Sequence, residues 1–483
     1  MQSVTMRIGG RDAGSAEGAY FEKRNPFTGE LVSRVPDAGP LDAVAAVGAA
    51  AAAFVEWSTT PPSKRRSILW KAADLLEQRA SDVATTITAE TGATLGWGMF
   101  NTAFAASMLR EAAAATTQIT GETIPSDIPG NIALSVRQPV GVVLGIAPWN
   151  APMILGVRAV AMPLACGNTV VLKASEECPQ THRIIGDVLE QAGLPAGAIN
   201  VLTTSRAGAA ATVDALIADP RVRRINFTGS TEVGRTIAEK AARHLKPVLL
   251  ELGGKAPLVV LDDADLDEAA AAANFGAFMH QGQICMSTER LVVQETVLTP
   301  FVEKLVVRAR SLRVGDPTAS GTQIGPMVSE RSVQRVRDLI VDAVGRGARV
   351  RCGGEARGTL FEPTVLDQIT PDMRIYREES FGPVVIVLPV TDDEDAIRVA
   401  NDTVYGLAAA VFGQDLDRAY GVASRIESGI CHINGPTVAD EPQMPFGGVK
   451  QSGFGRFGGK AGIAEFTELR WITIQTGKRH YPI

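Results

Sequence analysis

From residue 141 to residue 252, short apolar runs alternate with helical segments, and this pattern limits the possible folds more than any other part of the chain. Strands are predicted at 142–146, 169–172, 199–202, 224–227 and 248–250, with helices near residues 154, 181, 209 and 231. Strands that alternate with helices form parallel sheets with helices on both faces. The sequence therefore predicts a doubly wound, Rossmann-like α/β sheet of the kind that binds nucleotides.

A second alternating region runs from residue 255 to about residue 464, with strands predicted near residues 258, 291, 384 and 409. The 483 residues are too many for one hydrophobic core, and a hydrophobic fraction of 45% is enough to fill two or three. A hairpin is predicted around residues 25–30 and helices at 41–57, 63–79 and within 81–121. The predicted fold class is therefore α/β, with two doubly wound domains.

Cys285 lies in a run of small and polar residues that begins at Gly282 and ends at Thr288. A cysteine in this setting can present its thiol and its own backbone N–H to a ligand, which gives a nucleophile and one oxyanion-hole donor. The alternative is a cysteine buried as a small hydrophobic residue, the usual state of this residue type. Cys285 alone does not decide between the two.

Two polar side chains at predicted strand ends favour the reactive cysteine. Glu251 closes the strand at 248–250, so its carboxylate is expected at the carboxyl edge of a parallel sheet, where open α/β sheets bind ligands. Asn150 follows the strand at 142–146 and offers an amide donor. A thiol, a carboxylate and an amide are the groups that covalent acyl chemistry uses.

Seven segments resemble, in order, the motifs of the aldehyde dehydrogenase superfamily. They are Pro148-Trp149-Asn150, Lys173 with Glu176, Phe227-Thr228-Gly229-Ser230, Glu251-Leu252-Gly253-Gly254-Lys255, Gly282-Gln283-Ile284-Cys285, Glu378-Glu379-Ser380-Phe381-Gly382-Pro383 and Pro445-Phe446-Gly447-Gly448. The resemblance covers essentially the whole chain and is strongest to the bacterial salicylaldehyde, vanillin and benzaldehyde dehydrogenases. It implies NAD-dependent oxidation of an aldehyde to a carboxylic acid.

The resemblance also implies catalytic roles for three residues. Cys285 attacks the aldehyde carbon, and the resulting alkoxide lies between the Asn150 amide and the Cys285 backbone N–H. Loss of hydride to the nicotinamide leaves a thioester, and Glu251 activates the water that hydrolyses it. Relatives that pass the acyl group to coenzyme A typically lack this carboxylate, so a free acid is the expected product.

No G-x-G-x-x-G fingerprint follows a predicted strand. The expected diphosphate loop instead contains Gly229 and Ser230, which follow a strand and open a helix, with Gly234 in that helix. A Gly-Ser pair before a helix is more often only an N-cap, and it is the resemblance that favours a dinucleotide here. Lys173 and Glu176 are expected on the adenosine ribose, where the Glu176 carboxylate would repel a 2′-phosphate. NAD is therefore preferred over NADP.

The resemblance adds Trp149, Glu379 and Phe381 to the cofactor site, with Glu379 on the nicotinamide ribose and Phe381 beside the ring. Ala151 stands where many aliphatic-aldehyde members carry phenylalanine, which leaves room for an aromatic substrate near the thiol. The expected apolar walls of the substrate pocket are Trp97, Leu155, Ile284, Met286 and Phe446.

Three roles are open for Arg158, which lies two helical turns after Asn150. It meets a phenolic oxygen of an aromatic aldehyde, it binds the distal carboxylate of an ω-semialdehyde such as succinic semialdehyde, or it forms a structural ion pair. The second role would change the substrate class. A non-catalytic binding protein on the same fold is a more remote alternative, because fold does not fix function.

Composition limits the partners and the location. A net charge of −6 without a basic run argues against nucleic acid or an anionic membrane as partner. Five separated cysteines without CxxC or Cys/His spacing argue against a metal site and for a reducing compartment. The first ten residues contain no apolar signal segment, so a cytoplasmic location is expected.

The resemblance implies an NAD-binding domain at 1–120 and 139–250, a catalytic domain at 251–445, and a small β oligomerisation element at 121–138 and 465–483. The tail at 466–474 alternates like a strand. An equivalent strand pairs with a partner subunit in the family, so a homodimer or homotetramer is expected. The alternative is an ordinary edge strand.

Overall fold

The computed structural model describes residues 2–483, and Met1 lies outside them. The first part consists of strands β1 (Gln2–Ser3), β2 (Met6–Ile8), β3 (Arg11–Ala13), β4 (Tyr20–Arg24) and β5 (Leu31–Pro36), and helices α1 (Pro40–Trp57), α2 (Pro62–Gln78), α3 (Ala80–Thr91) and α4 (Leu95–Ala115). Strands β4 and β5 form the predicted hairpin. The helical stretch predicted at 81–121 is two helices, because Gly92 ends α3 in the left-handed conformation with φ of 74°.

Helix α1 is long and apolar enough to cross a membrane by length and composition. It instead packs against the first sheet through buried Ala46, Val47 and Ala50. The hydroxyl of Thr169, at the start of a buried strand, donates to the Ala50 carbonyl at 2.9 Å. The apolar face of α1 thus belongs to the helical layer over that sheet.

The next segment alternates as the sequence predicts. Its elements are β6 (Glu122–Ile124), β7 (Asn131–Pro139), β8 (Val142–Ile146), α5 (Pro152–Ala165), β9 (Thr169–Lys173), α6 (Pro179–Gln191), β10 (Ile199–Leu202), α7 (Ala209–Ala218), β11 (Val222–Thr228), α8 (Thr231–Arg243) and β12 (Val248–Glu251). The five predicted strands and four predicted helices of this region are confirmed.

The last part contains β13 (Ala256–Val260), α9 (Leu266–Phe278), β14 (Thr288–Gln294), α10 (Glu295–Ser311), α11 (Glu330–Gly345), β15 (Arg349–Cys352), β16 (Ala356–Arg357), β17 (Leu360–Phe361), β18 (Thr364–Asp367), α12 (Arg374–Arg377), β19 (Val384–Val390), α13 (Asp393–Asn401), β20 (Ala408–Phe412), α14 (Leu416–Ala423), β21 (Ile430–Ile433), β22 (Gly453–Phe454), α15 (Gly459–Glu465) and β23 (Thr467–Gln475). Short 3-10 helices lie at Met279–Gly282 and Lys450–Ser452.

The first large sheet has the strand order β22-β12-β11-β8-β9-β10-β2-β3. Strands β12, β11, β8, β9 and β10 are parallel, and the chain leaves β8 in one direction for β9 and β10 and returns on its other side for β11 and β12. The direction of winding thus reverses between β8 and β11. In open α/β sheets ligands bind at such a switch point, beyond the carboxyl ends of the strands.

The second large sheet has the order β15-β18-β19-β14-β13-β20-β21, parallel except for β15. The central strands of both sheets are buried on both faces, as expected for parallel strands covered by helices. The prediction of an α/β fold with two doubly wound sheets is confirmed. A small antiparallel sheet, β23-β7-β6, joins the tail to the segment before β8. The domain limits given above stay a prediction.

Candidate active site

The loop that carries Cys285 follows the 3-10 turn at Met279–Gly282. His280 and Gln281 have positive φ angles of 49° and 57°, and Gly282 has a φ of 66°. A Cβ on Gly282 would lie 2.2 Å from the Gly382 carbonyl oxygen, so only glycine fits there. The Cys285 side chain is partly exposed, whereas three of the other four cysteines are buried.

Asn150 reaches the same loop from the end of β8. Its side-chain Nδ2 donates to the main-chain carbonyl of Gln283 at 2.9 Å, two residues before Cys285. On the other side, the indole N–H of Trp97 donates to the Asn150 carbonyl at 3.0 Å. The Trp97 ring stacks on His280 with centroids 4.8 Å apart. Asn150 is therefore held from two directions, and Trp97, expected only as a pocket wall, also anchors it.

Glu251 ends β12 and is buried, with neither carboxyl oxygen hydrogen-bonded to any described residue. Burial raises the pKa of Glu251 to about 8, although the Arg158 guanidinium opposes the rise. Burial and the neighbouring Glu251 carboxyl also raise the pKa of the Cys285 thiol well above its usual value. Both groups are thus held toward their neutral, protonated forms, mainly by burial.

Arg158 is buried and forms an ion pair with Asp440. Its guanidinium also lies over the Phe446 ring, 4.1 Å from the centroid, and 5.8 Å from that of Phe457. Of the three roles open for Arg158, the structure contains the ion pair. A guanidinium already paired with a carboxylate and stacked on a ring is a poor clamp for the distal carboxylate of a semialdehyde.

The residues predicted to line the substrate pocket belong to one hydrophobic cluster, against which the partly buried Cys285 packs. The cluster includes Trp97, Ala151, Leu155, Ile284, Met286 and Phe446. These six side chains come from α4, the start of α5, the Cys285 loop and the segment after β21, and all are buried. Arg158 contacts this group through Phe446.

At the end of β9, the Lys173 ammonium lies 3.7 Å from the Glu176 carboxylate, and Arg206 lies 3.6 Å from its other oxygen. Burial alone would raise the pKa of Glu176, but Lys173, with help from Arg206, holds it below its usual value. Glu176 is therefore an anion at neutral pH. The predicted pair at the strand end exists in the structure.

The loop after β11 does not leave all of its backbone N–H groups free for a diphosphate. The Gly229 N–H donates to the Glu251 carbonyl at 3.0 Å, so it does not face a ligand. Ser230 caps α8 by accepting from the Val233 N–H. A Cβ on Gly234 would lie 2.4 Å from Leu252, so this glycine permits close packing of α8. The remaining donors for a diphosphate are the first-turn N–H groups of α8.

Glu379 and Phe381 lie next to the turn that follows Glu251. The Glu379 carboxylate accepts from the Gly254 N–H at 2.9 Å, and burial raises its pKa to about 7. Phe381 has a φ of 49° and meets the ring of Trp149 edge-on, with centroids 5.8 Å apart. The three residues predicted at the nicotinamide end therefore lie close to the catalytic loops.

A buried ion pair between Lys255 and Glu289 supports this region, and sequence reasoning gave it no role. Glu289 also accepts from the backbone N–H groups of Ser380 at 2.9 Å and Phe381 at 3.1 Å. It therefore fixes the turn that carries Glu379. The sequence contained a sign of this role, since Glu289 and Arg290 are charged residues near the start of a largely apolar strand.

The donor set fits a nicotinamide dinucleotide. A lysine and a carboxylate lie at the end of β9, a capped helix N-terminus follows β11, and a partly buried carboxylate, Glu379, lies beside the turn after β12. All three positions are at the carboxyl edge of the first sheet, near the switch point. Such an edge is where dinucleotides bind in doubly wound sheets.

Two doubly wound sheets that hold a thiol, a buried carboxyl and an amide are the arrangement expected of an aldehyde dehydrogenase. The chain belongs to the aldehyde dehydrogenase family, whose model matches residues 13–472. Members of the family use NAD or NADP and act on small aldehydes.

The chain is similar along nearly its whole length to two dehydrogenases of known sequence and to one solved structure. Vanillin dehydrogenase from Pseudomonas sp. (strain HR199 / DSM 7063) is 58% identical over 100% of both chains. Salicylaldehyde dehydrogenase from Pseudomonas sp. (strain C18) is 49% identical over 97% of each. The crystal structure of a salicylaldehyde dehydrogenase from Pseudomonas putida G7 complexed with salicylaldehyde matches with a TM-score of 0.99, 48% identity and 100% coverage of both chains.

Proposed function

We propose that this enzyme oxidises an aromatic aldehyde of the vanillin, salicylaldehyde or benzaldehyde type to its carboxylic acid, with NAD as cofactor. The observation that carries the proposal is the hydrophobic cluster against which Cys285 packs, since it contains Trp97, Phe446 and the small side chain of Ala151. Apolar walls suit a flat ring. The similarity to vanillin and salicylaldehyde dehydrogenases supports the same substrate class.

In the first half of the reaction the Cys285 sulfur forms a bond to the aldehyde carbon, and the thiol proton passes to Glu251. The carbonyl oxygen becomes an alkoxide, which accepts from the free N–H of the Asn150 amide and from the Cys285 backbone N–H. When bound, NAD accepts the hydride that leaves this carbon. The acyl group then remains on Cys285 as a thioester.

Before the second half Glu251 releases the thiol proton to solvent. Its carboxylate then removes a proton from a water molecule, which attacks the thioester carbon. The carbon–sulfur bond breaks, the acid is released, and the proton held by Glu251 passes to the sulfur, which restores the Cys285 thiol. A pKa of about 8 suits Glu251 for this role, because a general base acts best when its pKa is near the working pH.

Glu176 supports NAD over NADP, because its carboxylate is ionised and would lie against a 2′-phosphate. For the cofactor we assign Lys173 and Glu176 to the adenosine ribose, the start of α8 after Gly229 and Ser230 to the diphosphate, and Glu379, Phe381 and Trp149 to the nicotinamide half. Arg158, paired with Asp440, favours the aromatic substrate over an ω-semialdehyde.

The tail strand supports a homodimer or homotetramer. Strand β23 is at the edge of its sheet, and Leu469 and Trp471 on it are 62% and 76% exposed. An exposed edge strand with apolar side chains is a template for pairing with another chain. The cytoplasmic location stays a prediction.

The test is steady-state NADH formation, with NAD and NADP in parallel, on vanillin, salicylaldehyde, benzaldehyde, hexanal and succinic semialdehyde. The aromatic aldehydes are expected to have the highest kcat/KM, with NAD preferred, and Cys285→Ala is the matched control without the nucleophile. A lead for succinic semialdehyde would overturn the substrate class, and activity that survives in Cys285→Ala would overturn the mechanism.

A further inference from the structure

His182 is a buried residue of α6 whose ring contacts two loops at once. The Ser175 N–H donates to Nδ1 at 3.1 Å, and Nε2 lies 3.0 Å from the Pro152 carbonyl oxygen. Because an N–H only donates and a carbonyl only accepts, Nδ1 carries no proton and Nε2 carries one. The two partners thus select a single neutral tautomer, and burial keeps the ring neutral by lowering the pKa of His182 to about 3.

The two loops are those that the proposed reaction uses. Ser175 lies in the turn 173–176, between Lys173 and Glu176, and we call this segment the ribose turn. Pro152 begins α5 two residues after Asn150, and we call the segment 148–152 the amide loop. We propose that His182 is a positioning residue that couples the ribose turn to the amide loop through the two nitrogens of one ring. This inference rests on the proposed function.

Cys178 adds a second contact between the same elements. Its sulfur lies 3.9 Å from the Pro148 carbonyl oxygen and 3.7 Å from His182 Nε2. Cys178 immediately precedes α6 and contacts both His182 on that helix and Pro148 in the amide loop. The ring of His182 and the sulfur of Cys178 therefore hold the amide loop at both of its ends.

Helix α6 is anchored without the help of His182. The carboxylate of Glu90, from α3, accepts from the N–H groups of Gln180 at 2.8 Å and Thr181 at 3.0 Å, and from the Thr181 hydroxyl at 2.7 Å. These bonds fix the start of α6. The His182 contacts therefore position the two loops, and the helix remains in place when one of them is lost.

Helices α5 and α6 approach closely at the ring because α5 has glycine at position 156. A Cβ there would lie 3.0 Å from His182 Cδ2 and 2.4 Å from Ile185 Cδ1. The ring thus has little room to turn. A rigid ring transmits the position of one loop to the other, whereas a mobile side chain would not.

Two substitutions separate the contacts. His182→Asn places an oxygen near the Nδ1 position, so it keeps the acceptor for Ser175 and loses the donor to Pro152. His182→Gln places an amide N–H near the Nε2 position, so it keeps the donor to Pro152 and loses the acceptor for Ser175. His182→Asn is expected to reduce kcat roughly tenfold and leave the NAD affinity unchanged. His182→Gln is expected to weaken the NAD affinity roughly tenfold and leave kcat unchanged. Each variant loses one hydrogen bond.

The measurements are kcat and KM for NAD with vanillin, the NAD dissociation constant by calorimetry, and Tm. Thr181→Val is the control, because it removes a buried hydroxyl contact to Glu90 on the same helix without touching either loop. It is expected to lower Tm and leave the kinetic constants nearly unchanged.

A lower Tm in both His182 variants without opposite changes in kcat and NAD affinity would overturn the coupling and leave His182 a structural residue. If the wild-type enzyme oxidised no aldehyde, the proposed function would fall. The calorimetric comparison would still decide the ribose-turn contact, because it needs no turnover. Equal NAD affinity in His182→Gln and His182→Asn would then overturn the inference.

Discussion

The side-chain amide of Asn150 donates to the backbone carbonyl of Gln283 across 2.9 Å, and this bond ties the loop after β8 to the loop that carries Cys285. An amide has two N–H bonds. One is used for Gln283, so the other has a fixed direction relative to the Cys285 sulfur. The position of the oxyanion donor is thereby set before the substrate arrives, which is the condition for electrostatic stabilisation of a transition state.

Replacing Asn150 by alanine is expected to lower kcat/KM for vanillin about 10²- to 10³-fold, the usual effect of losing one oxyanion donor. Pre-steady-state NADH formation measures the step directly. Trp97→Phe is the matched control, because it removes the hydrogen bond to the Asn150 carbonyl and keeps an aromatic ring on His280. Its effect should be roughly tenfold or smaller. Equal losses in both variants would contradict the assigned role of the amide.

Activity is expected to rise with pH through about 8, because Glu251 must be ionised to accept a proton and its pKa is about 8. The profile of kcat/KM against pH measures this. Glu251→Gln should lose the rise and should lower kcat by at least about a hundredfold. A burst of one NADH per active site should remain but form more slowly, because Glu251 also accepts the thiol proton before hydride leaves. A flat profile in the wild type would contradict the assignment.

The same carboxyl affects stability. In the folded protein Glu251 stays protonated up to about pH 8, whereas in the unfolded chain it ionises near its ordinary value of 4.5. Between these values the unfolded state binds fewer protons, so the free energy of unfolding falls as pH rises. Glu251→Gln removes this loss. The Tm difference between variant and wild type should therefore become more positive from pH 5 to pH 8, and a constant difference would contradict the raised pKa.

Glu289→Gln is expected to lower the free energy of unfolding by about 3–5 kcal/mol, because it leaves the buried Lys255 ammonium without its counter-charge. Denaturant unfolding measures the loss. The KM for NAD should also rise, since Glu289 fixes the turn that carries Glu379. Asp267→Asn, in an exposed pair with Lys304, is the control and should change neither quantity measurably.

Ala151→Phe is expected to reduce kcat/KM for vanillin at least about tenfold relative to that for acetaldehyde, because the new ring takes the space proposed for the aromatic substrate. The ratio of the two kcat/KM values is the measurement. Tm separates a narrowed pocket from a disturbed fold. An unchanged ratio in a folded variant would show that the aromatic ring lies elsewhere.

Asp440→Asn removes the carboxylate that neutralises Arg158. The guanidinium would then be available to a substrate carboxylate, so kcat/KM for succinic semialdehyde is expected to rise relative to that for vanillin. Arg158→Met/Asp440→Leu, which removes both charges, is the control and should not gain this activity. A gain in the double variant would show that Arg158 is not its source.

Local pattern was enough for most of the fold. Each of the five parallel strands of the first sheet was predicted within two residues, because a buried parallel strand is a short apolar run closed by a turn, and both signals lie within a few neighbouring residues. The candidate reacting groups were also predicted, since Glu251 and Asn150 stand where strands end. Helices were predicted within 81–121 without a boundary between them, and the structure places it at Gly92, because one glycine in a helical pattern is not by itself a clear helix end.

The sequence by itself thus determined the α/β class, the succession of strands and helices along the chain and the residue types at the candidate site. Tertiary structure alone decided which partners those residues take. Arg158 pairs with Asp440, which is 282 positions away in the sequence. Glu289 accepts from the Ser380 N–H, and the Gly229 N–H donates to the Glu251 carbonyl. The reason is physical: hydrophobic periodicity is a local property of the chain, whereas a buried charge or donor must find its partner among whatever groups packing brings near it.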